Sequence, residues 1–79
     1  MKTLAELAVG LTSQVIAVGG GGSFRRRLLE LGLVPGAAIT RLGQAPLGDP
    51  LTYRIRGATV CLRRADAAAI SVVALVPAT

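Results

Sequence analysis

The segment from Leu51 to Arg64 constrains the fold more than any other stretch of this chain. Two runs rich in β-branched and apolar residues, Leu51–Arg56 and Thr59–Arg64, flank Gly57-Ala58. Glycine at the first central position suits a two-residue type II′ turn, whose twist matches that of two antiparallel strands. That turn predicts Tyr53 opposite Leu62 and Ile55 opposite Val60, all on one side. Arg54 opposite Cys61, Thr52 opposite Arg63 and Arg56 opposite Thr59 then fill the other side. One face is apolar and the other basic, the signature of an antiparallel pair covering a core on one side only. A one-residue slip would mix the two faces, so the pattern specifies its own register.

The remaining punctuation extends this picture. Thr3-Leu4-Ala5-Glu6 has the form of a capping box, which predicts a helical turn over residues 3–8. Gln14–Val18 is β-branched and runs into Gly19–Gly22, reading as a strand and a loop. Ser23 is placed to cap a helix that continues to about Leu31, with Phe24, Leu28 and Leu31 forming a buried stripe. Gly32 can close that helix in the left-handed conformation, and Pro35-Gly36 fits a tight turn. Ala37–Leu42 is a further strand and Ala45–Pro50 a loop. Asp66–Ala69 forms a short turn, and Ile70–Val76 the last strand. About five short strands with one inserted helix at residues 23–31 describe an all-β domain: a small, strongly bent antiparallel barrel. Barrel closure would also hide sheet edges. At 79 residues the chain is expected to be one domain, 1–79.

Composition removes most chemistry. With no histidine and one cysteine, neither a zinc ligand set nor a histidine-based triad can be assembled within the chain. No catalytic residue, cofactor site or metal site is expected, and the reading is non-enzymatic. A disulfide framework is equally excluded, which points to the cytoplasm. The longest apolar stretch, Ala67–Val76, is too short to span a bilayer and contains Ser71, so no membrane insertion is expected. Glu6 interrupts the apolar N-terminal stretch, against a signal peptide. Nine cations, eight of them arginine, face four carboxylates, giving a net charge of +5. Such a surplus favours an acidic partner, whether nucleic acid, an anionic membrane surface or an acidic protein face; it is also ordinary solubility charge for a small domain.

Three places stand out. Arg25, Arg26 and Arg27 put cations in the first turn of a helix, where they oppose the macrodipole, so local stability does not explain them. They read as a contact for an acidic partner or as a solvated helix face. Pro46, Leu47, Gly48, Asp49 and Pro50 form a stiff loop, suited to recognition or simply to spanning two strands. Cys61 lies among arginines, yet no second thiol or imidazole is present to complete a metal site. Across a dimer it could meet a carboxylate and hold a divalent ion; a passive strand residue is the simpler reading. Gly19–Gly22 lacks the Gly-Lys-Ser/Thr of a phosphate-binding loop. With only Phe24 and Tyr53 as aromatics, both assigned to the core, neither a proline-peptide groove nor a base-stacking platform can be built.

The run Arg26-Arg27-Leu28-Leu29-Glu30-Leu31-Gly32-Leu33-Val34-Pro35-Gly36 is followed by Ala45-Pro46-Leu47-Gly48-Asp49-Pro50, then by Tyr53–Gly57 and Leu62–Ala67. Over nearly the whole chain these blocks resemble ferrous iron transport protein A, the FeoA family. The same module resembles the C-terminal domain of DtxR-type iron-dependent repressors. The resemblance implies an SH3-like barrel with an extra short helix. It also implies a cytosolic accessory protein of ferrous iron uptake, recruited to the inner face of the membrane by its partner, the FeoB permease with its intracellular GTP-binding domain. Partner contact is then expected from Arg25, Arg26, Arg27 and from Pro46, Leu47, Gly48, Asp49 and Pro50. A homodimer is compatible with so many short apolar strands. The alternative, from another class, is a small basic barrel that binds nucleic acid through its phosphates.

Overall fold

The computed structural model of the chain describes residues 2–73. Six strands follow in the order β1 (Lys2–Thr3), β2 (Thr12–Val18), β3 (Ala38–Gln44), β4 (Leu51–Ile55), β5 (Ala58–Leu62) and β6 (Ile70–Val72). A 3-10 turn, Leu4–Glu6, follows β1; helix α1 spans Gly22–Glu30 and the single turn α2 spans Arg64–Ala67. All neighbouring strands are antiparallel, in the spatial order β1-β6-β2-β3-β4-β5. The sixth strand, beyond the five expected, is the two-residue β1. Register shifts between Val15 and Ala17 and between Arg41 and Gly43 let β2 and β3 bend, as bulges do in small curled sheets. Among the described residues the ladder does not join end to end: β1 and β5 stand at its two margins. Of the expected last strand, Ile70–Val76, the described part carries β6 at Ile70–Val72, and residues 74–76 lie outside the described residues.

The core is built from alternate residues of the strands together with Leu4 of the 3-10 turn. Leu4, Val15, Ile39, Leu51, Tyr53, Ile55, Ile70 and Val72 are all essentially inaccessible to solvent, with Leu28 and Leu33 joining from α1 and the segment after it. Tyr53 lies at the centre, its hydroxyl donating to the Leu4 carbonyl at 2.9 Å. The N-terminal turn carries the capping box as expected, with the Thr3 backbone N–H and hydroxyl both donating to Glu6 Oε1. Those donors hold the Glu6 carboxyl below its usual range, the backbone N–H contributing most.

The hairpin forms, but one turn residue earlier than the sequence suggests. Arg56 and Gly57, with φ of +53° and +79°, occupy the turn. Two successive positive φ values make it type I′ in place of II′. Tyr53 consequently faces Val60, Leu51 faces Leu62 and Thr52 faces Cys61. Because the pairing moves by two positions, every side chain keeps its face: Leu51, Tyr53, Ile55 and Leu62 are buried while Arg54, Thr59 and Cys61 are exposed.

Helix α1 begins earlier than the sequence suggests. Gly21, not Ser23, is its N-cap, and Ser23 is the second helical residue, with no capping hydrogen bond from a side chain. Its end matches expectation. Gly32 takes a φ of +102°, its N–H reaching the Leu29 carbonyl and that of Leu33 the Leu28 carbonyl. These two bonds make a Schellman motif, with buried Leu28 and Leu33 at its two ends. Leu31 departs from the expected stripe: it is 44% exposed, whereas Leu28 is buried and Phe24 half-buried.

Candidate functional site

The hairpin tip and the end of α1 lie side by side, since the aliphatic stem of Arg56 runs over Gly32, where an added Cβ would meet Arg56 Cδ at 3.3 Å. Between helix and hairpin lies a cleft of about 480 Å³. Phe24, Arg27, Leu28 and Leu31 of α1 form one wall; Cys61 and Leu62 of β5 with Arg63 form the other, and Pro50 and Asp66 complete the rim. Phe24, Leu28, Leu31 and Leu62 give the walls apolar surface, with the guanidinium groups of Arg27 and Arg63 set among them. These two guanidinium groups stand against one carboxylate, so the cleft is net basic.

The three consecutive arginines of α1 part company because successive residues of a helix turn by about 100°. Arg25 reaches back to the strand before the helix, its Nε donating to the Val18 carbonyl at 3.2 Å. Arg26 is exposed and does not line the cleft; Arg27 does. The side chains of Arg25, Arg41 and Arg64 find hydrogen-bond acceptors within the domain; among the described residues those of Arg27 and Arg63 find none, leaving both heads available.

The loop between β3 and β4 is held at several points. The Gly48 N–H bonds the Ala45 carbonyl at 2.8 Å, and the Ala45 N–H bonds the Pro50 carbonyl at 3.0 Å. Asp49 Oδ1 accepts from the Arg64 backbone N–H at 2.9 Å, the opening residue of α2, while Arg64 Nη2 donates to the Gly48 carbonyl at 3.0 Å. The Asp49–Pro50 peptide is cis. Asp49 is thus committed to tying the loop to α2, and Leu47 stands at the apex, 96% exposed.

Of the residues singled out from the sequence, Arg27 and Pro50 meet in the cleft; Arg25, Arg26, Pro46, Leu47, Gly48 and Asp49 do not line it. The apolar walls were assigned to core or hairpin, and nothing in the linear sequence pairs Leu31 with Cys61. Cys61 is a free, exposed thiol whose Sγ sits 4.0 Å from Thr52 Oγ1. Among the described residues no three histidine, cysteine, aspartate or glutamate side chains converge on a metal-sized space. No described helix is long and apolar enough to cross a membrane.

One buried cation escaped sequence reading. Arg41, 7% exposed, donates from Nη1 to the Leu7 carbonyl at 2.8 Å and from Nη2 to Gln44, while its Nε has no partner. A signal was present, because Arg41 sits two residues after the buried Ile39 and so shares its inward face. Its role is to hold the segment after the first turn: Gly10 N–H bonds the Arg41 carbonyl and Arg41 N–H the Leu11 carbonyl.

The family model of the FeoA domain matches residues 2–74. A fusion protein of Porphyromonas gingivalis, Fe(2+) transport protein A joined to the Fe(2+) transporter FeoB, is 49% identical over 69 residues. That match takes in 87% of this chain but only 8% of the fusion protein. Among solved structures, a FeoA protein from Chlorobium tepidum is 41% identical, with a TM-score of 0.84 over 89% of this chain and 67% of that one. The FeoA of Stenotrophomonas maltophilia was solved with zinc and described as an SH3 domain protein and a candidate activating factor of ferrous iron transport. It is 29% identical, with a TM-score of 0.81 over 91% of this chain and 89% of that one. A manganese-dependent transcriptional repressor shares the fold, at 24% identity and a TM-score of 0.82, over 94% of this chain and 41% of the repressor. The bent six-stranded sheet described above is therefore of SH3-like type.

Proposed function

Because this chain belongs to the FeoA family, we propose that it is a non-enzymatic cytoplasmic accessory protein of ferrous iron uptake that binds and modulates the cytosolic part of a FeoB-type permease. The observation that carries the partner is the Porphyromonas gingivalis relative, in which the equivalent of this domain and the transporter occupy one polypeptide. Such a tether raises the effective concentration of the two parts and is useful when they act in contact. The contact surface in this reading comprises the exposed face of α1 with Arg26 and Arg27, the basic cleft beside it, and the loop Pro46–Pro50 with Leu47 at its apex. Arg25 supports that surface through its bond to Val18. The partner, not the chain itself, supplies the membrane location.

The test is calorimetric titration of the chain into the cytosolic domain of its own organism's ferrous permease at near-physiological salt, with a random DNA duplex in parallel. Saturable binding to the permease domain is expected, weakened at least about tenfold by the double substitution Arg26→Glu, Arg27→Glu. Binding to DNA alone, with log K falling roughly 0.9 per neutralised phosphate as log salt rises, would replace this reading by a basic nucleic-acid-binding barrel.

A further inference from the structure

The cleft runs along the end of β5, whose Cys61 and Leu62 line it. Among the described residues β5 pairs with β4 and with no other strand. A two-residue turn at Arg56-Gly57 makes Ile55 and Ala58 a hydrogen-bonded pair, and bonded pairs alternate from there. Ala58, Val60 and Leu62 therefore aim their N–H and C=O groups at β4, while Thr59 and Cys61 aim theirs outward. Among the described residues no backbone group meets those of Thr59 or Cys61. The strand also lacks the usual protections of an edge: Ala58–Leu62 contains no charge, no proline and no bulge. At the opposite margin β1 is only two residues long.

We propose that the outer edge of β5 accepts an extended acidic segment of a protein partner as an additional strand, laid into the cleft against α1. The proposal rests on the protein-partner reading given above and specifies how that partner is held. Main-chain bonds to Thr59 and Cys61 supply the affinity, and alternate side chains supply the choice of sequence. Apolar residues of the incoming segment meet Phe24, Leu28 and Leu31; its carboxylates meet Arg27 and Arg63, whose heads find no acceptor among the described residues. A second copy of this chain is a poor occupant. Antiparallel pairing of two β5 edges would set Arg63 and Arg64 of one copy towards Arg56 of the other, in a chain already carrying +5.

Amide hydrogen exchange of the full chain, alone and with the cytosolic permease domain, tests this directly. The Thr59 and Cys61 amides are expected to exchange rapidly in the free chain and to slow at least about tenfold in the complex, as newly bonded amides do. Cys61→Pro removes an outward-facing N–H and no ladder bond, a position where an edge strand tolerates proline. It is expected to weaken binding by about tenfold, the scale of one lost backbone hydrogen bond, with the circular dichroism of the free chain unchanged. A complex that forms without protecting these amides would overturn edge pairing while leaving the partner reading intact. Protection already present in the free chain, growing with its own concentration, would overturn the choice of occupant. Absence of any complex would overturn the partner reading and this proposal with it.

Discussion

Tyr53→Phe isolates one buried hydroxyl at the centre of the barrel. Tyr53 is fully buried, and among the described residues its hydroxyl bonds the Leu4 carbonyl alone, at 2.9 Å, joining β4 to the N-terminal turn. The substitution removes that bond without opening a cavity, and the Leu4 carbonyl keeps the Leu7 N–H at 3.2 Å as a second partner. The cost is therefore that of one neutral hydrogen bond, about 1 kcal/mol, which lowers the melting temperature of a domain this size by roughly 4–8 °C. The effect also depends on pH in a definite sense. Burial raises the Tyr53 pKa above its ordinary value of 10.0, and the positive charges of Arg41 and Arg64 offset part of that rise. The unfolded chain thus releases the phenol proton first. The folded state keeps its full stability below about pH 10 and loses it as pH climbs towards the folded pKa. Phenylalanine has no such proton, so the gap between wild type and variant should close in alkali. Thermal unfolding by circular dichroism at neutral and alkaline pH measures the gap. Since Tyr53 is the sole tyrosine and tryptophan is absent, near-ultraviolet phenolate absorbance follows its titration in the folded chain. A Tyr53→Phe variant as stable as wild type at neutral pH, or a phenol titrating at its ordinary value in the folded chain, would refute the reasoning.

Leu47→Ser should leave the melting temperature within the few tenths of a kcal/mol typical of surface changes, since Leu47 is 96% exposed, yet reduce affinity for the permease domain by at least about tenfold in calorimetry. At the hairpin tip, Gly57→Ala forces a Cβ into a residue with φ of +79° and should cost about 1–2 kcal/mol in denaturant unfolding. Arg56→Asn, which places a residue tolerant of positive φ at the other turn position, should be neutral or mildly stabilising.

The hairpin shows what a linear pattern can and cannot carry. Alternation assigns faces, and faces survive any register change of two, so the core residues of β4 and β5 were readable although their partners were not. The turn type depends on which residue accepts positive φ. Glycine advertises that tolerance, and Arg56 does not; its conformation is held by the paired strands on both sides and by the stem resting over Gly32. The end of α1 was legible for the opposite reason, because Gly32 alone can provide the left-handed closure. The arginine triplet reads as one feature in sequence, but helical geometry divides it between a bond to Val18, open solvent and the cleft. Arg41 was hidden by the habit of placing cations outside, although its alternation with Ile39 marked it as inward.

The cleft itself follows from where the aromatic residues are spent. Peptide grooves of barrels of this type depend on exposed aromatic rings. Here one of the two rings, Tyr53, is fully buried and the other, Phe24, packs over Gly20, where an added Cβ would come within 2.6 Å of the ring. The barrel therefore has no exposed cluster of rings to offer; Phe24 contributes a single half-buried ring to the helix wall of the cleft. Inserting α1 beside an unpaired strand edge provides a different kind of groove, with leucines on the helix for one wall and open main-chain groups for the other. Aromatic grooves select ligands already held in a polyproline conformation. A groove with a strand for a wall selects segments able to become strands, and the arginines at its rim further require that they be acidic. Loss of the edge amides, more than loss of any single side chain, is accordingly the change that should matter most to recognition.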